Sequence, residues 1–319
     1  MPKPQLTFGT AVPDDYGAIA EFAQEAESLG YYRLSLGEHI MDGNPPRPTV
    51  LSIPALAAAG GATKHIRLLT GIVLIPLYHP VLLAKLVSTL DLVSGGRLDF
   101  GIGVGGQRDT SVEFAAVGVP VEERGRRANE SLRLIKRLWT EEKVTFEGRY
   151  YQCKDVTLLP PPVQKPYPPI LVAGREEAAM RRAARYGDGW YPYLYTVRRL
   201  KASNESVKDY AARAGRDPES EDFHWGLLQP TCIADSKEEA VRIAAVNVGR
   251  RYVTPQRSAE DIAQALCITG TPEDCIKEVE SRVEAGARDI VFQWVAPDAK
   301  AAKEQMRIAA RAILPYFRQ

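Results

Sequence analysis

The sequence predicts an α/β fold, a single (β/α)8 TIM barrel with insertions. Two observations lead to it. Short β-rich runs alternate along the chain with amphipathic helical stretches, a pattern typical of helices around a parallel sheet. Eight such runs occur within 319 residues, and eight parallel strands are what a TIM barrel requires.

The predicted strands are rich in aliphatic and aromatic residues: 6–12, 32–37, 66–75, 98–105, 169–174, 189–194, 224–234 and 289–295. The intervening helical stretches, such as YGAIAEFAQEAESLG, end on a glycine. Glycine at that position suits the left-handed turn that often closes a helix. Each strand is therefore expected to be followed by a helix that returns the chain to the bottom of the barrel.

Two stretches are longer than the connections that a minimal barrel needs. Residues 107–165, after strand four, form the largest insertion, with one long helix over 121–140, a β-hairpin around FEGRYY and a proline-rich return. A second loop insertion covers residues 249–270. We interpret both as lids over the barrel mouth, because long connections in a compact domain are usually functional. Residues 1–319 are thus predicted to form one domain.

Composition narrows the function classes. The 41 basic and 40 acidic residues give a formal charge of +1, so neither nucleic acid nor a membrane surface is an expected partner. The sequence shows no secretory signal and no run of apolar residues long enough to span a bilayer, which predicts a cytoplasmic protein. Its four cysteines form no Cys-x-x-Cys pair, which argues against structural zinc and disulfides.

The segment SLGEHIM, at the end of strand two, offers Glu38 and His39 side by side. A histidine beside a carboxylate can act as acid, base or ligand, while the alternative is a loop histidine bonded to backbone. The other histidines precede strands or a helix and carry less functional weight: His65, His79 and His224.

Two enzyme classes find little support in the pattern. There is no His-x-His on strand one and no Glu-x-x-His pair, which disfavours metal-dependent hydrolysis. A glycosidase needs two carboxylates that face each other. Only Glu38 lies at a strand end, whereas Glu113 and Glu176 lie further into loops.

Glycines at strand ends are more informative. Gly71 interrupts the third predicted strand, and such a glycine often marks a bulge or a close approach by a ligand or backbone. GIGVGG ends strand four, and VAGREEA ends strand five at Gly174, just before a helix. A helix start beside Arg175 predicts an anion site, although Gly174 alone is also compatible with a simple tight turn.

Three long motifs, in this order, resemble the luciferase-like monooxygenase superfamily. They are HPVLLAKLVSTLDLVSGGRLDFGIGVGG, EFAAVGVPVEERGRRANESLRLIKRLWTEEKVTFEGRYY and PPILVAGREEAAMRRAARYGDGWYP. Members of this superfamily bind FMN or the deazaflavin F420. The resemblance covers nearly the whole chain and implies a barrel with a flavin-type ring across its C-terminal mouth.

The resemblance also implies roles for individual residues. A bulge with a non-proline cis peptide is expected at Gly71–Ile72. Glu38 and His39 match an acidic–histidine pair at the cofactor and substrate, and they are the predicted catalytic residues. The implied cofactor-binding set is Glu38, His39, Thr70, Gly71, Ile72, Gly105, Gly106, Gln107, Ala173, Gly174 and Arg175. In that set the turn at Gly105–Gly106 approaches the polyol, and Ala173–Arg175 bind the phosphate.

One position departs from the superfamily's F420-dependent sugar-phosphate dehydrogenases. They carry a catalytic glutamate just after the strand-four turn, where this chain reads Gly106-Gln107-Arg108. The departure argues against a sugar phosphate as substrate and leaves His39 as the acid–base candidate. Arg108, Lys165 and Arg175 are candidates for the acidic tail of F420, or alternatively a solvated rim.

These features predict an F420-dependent oxidoreductase that transfers hydride between the deazaflavin and a small organic substrate, with His39 as acid or base and Glu38 orienting it. The first alternative is an FMN-dependent monooxygenase supplied by a partner reductase. The second is a barrel that binds flavin without turnover. A flavin or F420 reductase is therefore an expected partner.

The substrate pocket is expected to involve the two insertions and aromatic residues near strand ends. Those aromatics suggest an apolar or planar substrate, with core packing as the alternative explanation: Tyr78, Trp190, Tyr193, Trp225 and Trp294. The resemblance implies a homodimer that packs the helices after strands two and three, where VLSIPALAAAGGA and VLLAKLVSTL are apolar.

Overall fold

A computed structural model describes residues 6–41, 47–106, 111–217, 220, 222–249 and 256–318. The strands are β1 Thr7–Ala11, β2 Arg33–Leu36, β3 Arg67–Thr70, β4 Val73–Leu74, β5 Leu98–Gly103, β6 Val144–Glu147, β7 Gln152–Val156, β8 Ile170–Val172, β9 Gly189–Trp190, β10 His224–Ile233, β11 Ile268–Gly270 and β12 Asp289–Trp294. The predicted site residues Gln107 and Arg108 lie outside the described residues.

The helices are α1 Ile19–Ser28, α2 Ser52–Ala62, α3 Pro80–Val93, α4 Ser111–Ala116, α5 Arg124–Thr140, α6 Glu177–Tyr186, α7 Val197–Arg213, α8 Lys237–Ala244, α9 Ala259–Leu266, α10 Pro272–Glu284 and α11 Ala299–Ala312. In the part of the chain that the structure describes, no helix combines the length and the apolar character needed to cross a bilayer.

The strands close into a parallel barrel in the order β1, β2, β3 with β4, β5, β8, β9, β10 and β12. The ring closes where β9 pairs with β10, with Gly189 opposite His224, and where β12 pairs with β1. Each of the eight predicted strands contributes to one position of the ring. The predicted (β/α)8 barrel is therefore confirmed.

Helix α5 of the larger insertion packs against α3 on the outside of the barrel. The insertion's predicted hairpin is confirmed as the antiparallel pair β6 and β7, and the predicted long helix begins with a 3-10 turn before α5. The buried Glu130 carboxylate of α5 accepts the backbone N–H groups of Arg149, Tyr150 and Tyr151. One carboxylate thus joins the hairpin to the helix.

The second insertion differs from the predicted loop. It contains α9, which begins with a capping box between Ser258 and Asp261, and β11, which pairs in parallel with β10 outside the ring. The interpretation of this whole stretch as a loop is therefore wrong. A three-residue strand is too short to show a period of its own, and only its pairing with β10 identifies it.

Charged side chains fill the lower part of the barrel. The Arg33 guanidinium lies between Asp99, at 3.1 Å, and Asp289, and Arg67 also contacts Asp99 at 2.6 Å. Burial by itself raises the pKa of Asp99, but the two arginines lower it to about 2. The hydroxyl of Tyr191 donates to Asp289. The layer consists of Arg33 on β2, Asp99 on β5, Tyr191 just after β9 and Asp289 on β12, so every second strand of the ring contributes one side chain. TIM barrels form their interior layers from alternate strands in this way.

An apolar layer covers the charged one and forms the floor of the mouth. Its buried members are Leu69, Leu171, Tyr191 and Val291, with Ala11 and Leu228 packed against them. Because bulky side chains close the barrel here, a ligand has room only above this layer, at the C-terminal ends of the strands.

Candidate active site

The predicted site residues lie together on one half of the mouth. They follow β2, the β3–β4 position, β5 and β8, which are neighbours in the ring. Leu36 at the end of β2 stands opposite Thr70 at the end of β3, so Glu38 and His39 emerge beside Gly71 and Ile72. Gly105 and Gly106 follow the next strand, and Ala173, Gly174 and Arg175 follow the one after it.

A bulge divides the third barrel strand into β3 and β4. The Gly71–Ile72 peptide bond is cis, as the family resemblance implies. The Gly71 N–H donates to the Leu36 carbonyl at 2.8 Å, and the Thr70 hydroxyl donates to the Gly101 carbonyl at 2.8 Å. The bulge is therefore bonded to the strands on both of its sides.

Glycines on the neighbouring strands make room for this bulge. A Cβ on Gly37 would lie 2.6 Å from the Gly71 carbonyl oxygen, and a Cβ on Gly101 would overlap the Thr70 carbonyl oxygen. A Cβ on Gly71 would overlap the Ser35 hydroxyl. The close approach predicted at Gly71 is therefore present. The neighbouring atoms belong to β2, namely the Ser35 side chain and the Leu36 backbone.

His39 is held by a carboxylate from the large insertion. Its Nδ1 lies 3.0 Å from Oε1 of Glu113 on α4, and the Ile40 N–H donates to Oε2 of the same carboxylate at 3.1 Å. The Glu113 side chain is completely buried, whereas one fifth of the His39 side chain is exposed. The pair therefore combines a shielded carboxylate with an imidazole that solvent or a ligand can reach.

Glu38 does not orient His39, contrary to the sequence prediction. Its Oε2 accepts the N–H and the hydroxyl of Ser52 at the start of α2, and its Oε1 accepts the Tyr78 hydroxyl and, at 3.4 Å, the Leu74 N–H. Burial raises the pKa of Glu38 although these hydrogen bonds act against the rise. Glu38 therefore faces α2 and the residues after the bulge, while His39 faces Glu113 on α4.

The turn after β5 begins at Gly105, whose φ of +72° lies in the left-handed region. Glycine adopts that conformation without the steric penalty that a side chain incurs. Among the described residues, a Cβ on Gly106 would meet nothing within 4 Å. The turn at Gly105 and Gly106 thus presents backbone at the mouth.

The start of α6 follows β8 at the same rim. A Cβ on Gly174 would overlap that of Ala179, so the glycine lets the helix begin directly at the strand end. Within the described residues, no side chain caps the N-terminus of α6. Arg199, which the sequence analysis missed, donates to the Arg175 carbonyl and lies 3.2 Å from Glu176. Two arginines therefore flank an uncapped helix start.

Several aromatic candidates serve packing instead of a pocket. Trp190 is fully buried and donates to the Ser203 hydroxyl, while Trp225 packs on Phe223 near the start of β10, at the opposite rim. Trp294 donates to the Thr10 hydroxyl. The packing alternative thus holds for Trp190 and Trp225, whereas Trp294 is half-buried at the mouth end of β12 and stays a pocket candidate.

Sequence reasoning placed Glu113 in a loop and found no partner for it. The contact with His39 spans 74 positions, and no local period or spacing carries such information. Among the described residues, no group of three or more His, Cys, Asp and Glu side chains forms a metal site. This rim brings together the His39 imidazole, the N-terminus of α6 and two arginines.

Comparison with known proteins agrees with this architecture. The family profile of luciferase-like monooxygenases matches residues 2–289. An F420-dependent glucose-6-phosphate dehydrogenase from Microbacterium testaceum is 27% identical over 98% of each chain. The oxygenase component of a flavin-dependent trigonelline monooxygenase from Acinetobacter baylyi is 32% identical over 74% of this chain and 65% of its own.

Two solved structures superimpose over nearly the whole chain. Monooxygenase RslO1 from Streptomyces bottropensis is 27% identical with a TM-score of 0.78, covering 98% of this chain and 100% of its own. An F420-dependent secondary alcohol dehydrogenase is 21% identical with a TM-score of 0.85, covering 99% of this chain and 100% of its own. At that identity the second likeness establishes the fold alone. The chain belongs to the luciferase-like monooxygenase family and is an oxidoreductase.

Proposed function

We propose that the protein is an F420-dependent oxidoreductase that transfers hydride between C5 of the deazaflavin and a small organic substrate. The observation that carries the proposal is the His39–Glu113 pair beside the Gly71–Ile72 bulge. Oxidation of an alcohol requires a group that takes a proton as hydride leaves, and histidine is the side chain best suited to this near neutral pH.

The residues at the mouth fit a flavin-type cofactor. Side chains on Gly37, Gly101 or Gly103 would fill the space around the bulge, so backbone is left to face a planar ring at Thr70, Gly71 and Ile72. F420, when bound, supplies a carbon that accepts or releases hydride, while the protein positions it and controls access by water.

The phosphate end of the cofactor would lie at the start of α6. Helix N-termini bind anions through their unpaired N–H groups and the helix dipole. Ala173, Gly174 and Arg175 form the turn into this helix, and Arg199 adds a second cation. Gly105 and Gly106 would approach the polyol between the two ends, with Gln107 following them.

His39 and Glu38 have different tasks in this proposal. His39 exchanges a proton with the substrate, and Glu38 holds the ends of β2, β4 and α2 through its four hydrogen bonds. Glu38 is therefore a positioning residue, since its carboxylate oxygens are occupied by backbone and side chains of the barrel wall. The substitution at Gly106-Gln107-Arg108 argues against a sugar phosphate as substrate.

A second candidate function is an FMN-dependent monooxygenase that receives reduced flavin from a partner reductase. The specific observation in its favour is sequence identity, which rises to 33% over 187 residues with an FMNH2-dependent dimethylsulfone monooxygenase from Pseudomonas putida. That alignment covers 58% of this chain and 49% of the relative, whereas the F420-dependent relative aligns over nearly its full length.

Titration of the purified chain with F420 and with FMN, followed by ligand fluorescence, separates the two functions. We expect tighter binding of F420 and, in a screen of primary and secondary alcohols and aldehydes, a change in F420 absorbance that needs no oxygen. Tight FMN binding with substrate-dependent oxygen uptake would overturn the proposal. His39→Ala should keep F420 affinity within a few-fold and lower turnover by about 10²-fold or more.

We further propose that the protein acts as a homodimer through α2 and α3. An apolar groove lies between these helices, lined by Leu51, Ile53, Pro54, Ala57, Tyr78, Leu86, Thr89, Leu90 and Val93. Val93 is 58% exposed and Leu51 is 42% exposed. Contiguous apolar surface of this kind commonly marks an interface.

A further inference from the structure

Glu113 contacts two consecutive residues of the candidate site with its two oxygens. Oε1 lies 3.0 Å from Nδ1 of the His39 ring, and Oε2 accepts the backbone N–H of Ile40 at 3.1 Å. The side chain and the main chain after β2 are therefore fixed by one carboxylate. Because Glu113 is completely buried, water does not compete for these bonds.

The two contacts together determine which ring nitrogen carries the proton. An ionised carboxylate accepts hydrogen bonds at both oxygens and donates none. The Ile40 N–H can only donate, so Oε2 of Glu113 accepts, as a carboxylate oxygen does. Nδ1 of His39 must then donate to Oε1, so in the neutral ring the proton is on Nδ1 and the basic lone pair is on Nε2.

We infer that Glu113 is a positioning residue that sets the Nδ1–H tautomer of His39 and stabilises the imidazolium that forms when Nε2 takes a proton. The catalytic consequence rests on the proposed function, in which His39 exchanges a proton with the substrate. The tautomer itself follows from the geometry of the protein alone. The large insertion thus supplies the acid–base site with its orienting carboxylate.

Glu130 provides a matched comparison within the same insertion. It is also a buried glutamate on a helix, and it accepts three backbone N–H groups. Its one charged neighbour among the described residues is the half-exposed Arg133, at 3.9 Å, whereas Glu113 gives one oxygen to an imidazole. A purely structural role for Glu113 therefore predicts that Glu113→Gln and Glu130→Gln have similar effects, and a positioning role predicts that they differ.

The Glu113→Gln variant is expected to reverse the tautomer. The Ile40 N–H must face the new amide oxygen, since a donor cannot face the amide NH2 group. The NH2 group is then directed at Nδ1, which has to accept, so the ring proton moves to Nε2. The basic nitrogen is lost from the position where the wild-type protein presents it.

Nitrogen NMR of the full chain labelled with 15N-histidine tests this. The chain has four histidines, and the His39→Ala variant assigns the His39 signals. At a pH well above the ordinary histidine pKa of about 6.5, we expect protonated Nδ1 and unprotonated Nε2 in the wild type and the reverse in Glu113→Gln. Glu130→Gln should leave the His39 signals unchanged.

A wild-type His39 with its proton on Nε2 would overturn the inference, and this measurement does not need Glu113→Gln to fold. Unchanged His39 signals in a folded Glu113→Gln would also overturn it. In turnover, we expect kcat of Glu113→Gln to fall by about 10²-fold with F420 affinity retained, and Glu130→Gln to keep kcat. The expected tautomers without any F420-linked turnover would refute the proposed function and leave the positioning role intact.

Discussion

Ser52 donates both its backbone N–H, at 3.0 Å, and its hydroxyl, at 2.9 Å, to one oxygen of Glu38. The other oxygen of that carboxylate accepts from Tyr78 and Leu74. Glu38 therefore connects the start of α2 to the segment just after the bulge. The sequence suggests Glu38 as a catalytic residue, but in the structure its carboxylate holds together the segments that would contact the cofactor. We call these four hydrogen bonds the Glu38 brace.

Replacing Glu38 with alanine tests this bracing role. The change leaves buried donors of Ser52 and Tyr78 without an acceptor, which should lower the free energy of unfolding by at least about 2 kcal/mol. We expect F420 affinity to fall together with stability, because the bulge loses its support. Thermal unfolding and fluorescence titration measure both quantities.

Tyr78→Phe is the control, since it removes one donor and leaves the carboxylate in place. It should cost about 1 kcal/mol and weaken F420 binding less than Glu38→Ala does. A Glu38→Ala protein that keeps its stability and F420 affinity while losing only kcat would instead assign Glu38 to the reacting atoms.

Gly37→Ala probes the space beside the bulge. The added Cβ would lie 2.6 Å from the Gly71 carbonyl oxygen, and because that atom is backbone, the bulge must shift. We expect a loss of about 1–3 kcal/mol in unfolding free energy and at least about tenfold weaker F420 binding. Gly61→Ala in α2, where a Cβ meets nothing within 4 Å, should leave F420 binding unchanged. Equal affinities in the two variants would contradict a cofactor wall at Gly71.

The sequence was sufficient for features that local patterns encode. Alternating β and helical runs predict the eight barrel strands, and the glycine within the third run, read with the family resemblance, predicts the bulge at Gly71–Ile72. Capping residues also act locally, as at Thr271 and Asp274, which form the capping box of α10. Each of these signals lies within a few residues of the feature that it determines.

Contacts between distant segments could not be read in this way. His39 meets Glu113 across 74 positions, and Arg33 meets Asp289 across 256. Such pairs depend on how the barrel closes and on where the insertion packs, neither of which has a period in the sequence. The sequence suggests Glu38 as the partner of His39 because the two are neighbours, although in the structure Glu38 bonds Ser52 of α2 and His39 contacts Glu113 of α4.

Asp99→Asn should destabilise the barrel in a pH-dependent way. In the folded protein Arg67 and Arg33 lower the pKa of Asp99 to about 2, below the unfolded value of about 3.9. A lowered carboxyl pKa stabilises the fold above the unfolded pKa, and this contribution disappears as pH falls through the folded pKa. At pH 7 we expect a loss of about 3 kcal/mol, since a buried ion pair loses one partner.

Urea unfolding at several pH values between 7 and about 2.5 measures this effect. The difference between wild type and Asp99→Asn should shrink on acidification below about pH 4. Asp209→Asn is the control, because Asp209 pairs with Arg213 on the surface with more than half of each side chain exposed, and exposed pairs contribute about 0–1 kcal/mol. A constant difference across the pH range would show that Asp99 is not the titrating group.

Charge placed in the α2–α3 groove should separate the proposed dimer. Leu86 and Val93 line the groove on one face of α3, and two arginines there would bury unpaired charge in a two-fold interface. Sedimentation should give a dimer for the wild type and a monomer for the Leu86→Arg, Val93→Arg variant. Leu92→Arg is the control, because Leu92 is 46% exposed and is not among the groove's lining residues.

The groove and the cofactor wall share Tyr78. It lines the groove, and its hydroxyl donates to Glu38 at 2.9 Å, so a second copy packed against Tyr78 would also support the Glu38 brace. We therefore expect the Leu86→Arg, Val93→Arg variant to bind F420 at least about threefold more weakly than Leu92→Arg does. The difference should be smaller in samples of the variant that still contain dimer. A monomeric variant that binds F420 as tightly as the wild type would show that the Glu38 brace needs no second copy of the chain. A wild-type protein that sediments as a monomer would refute the proposed interface.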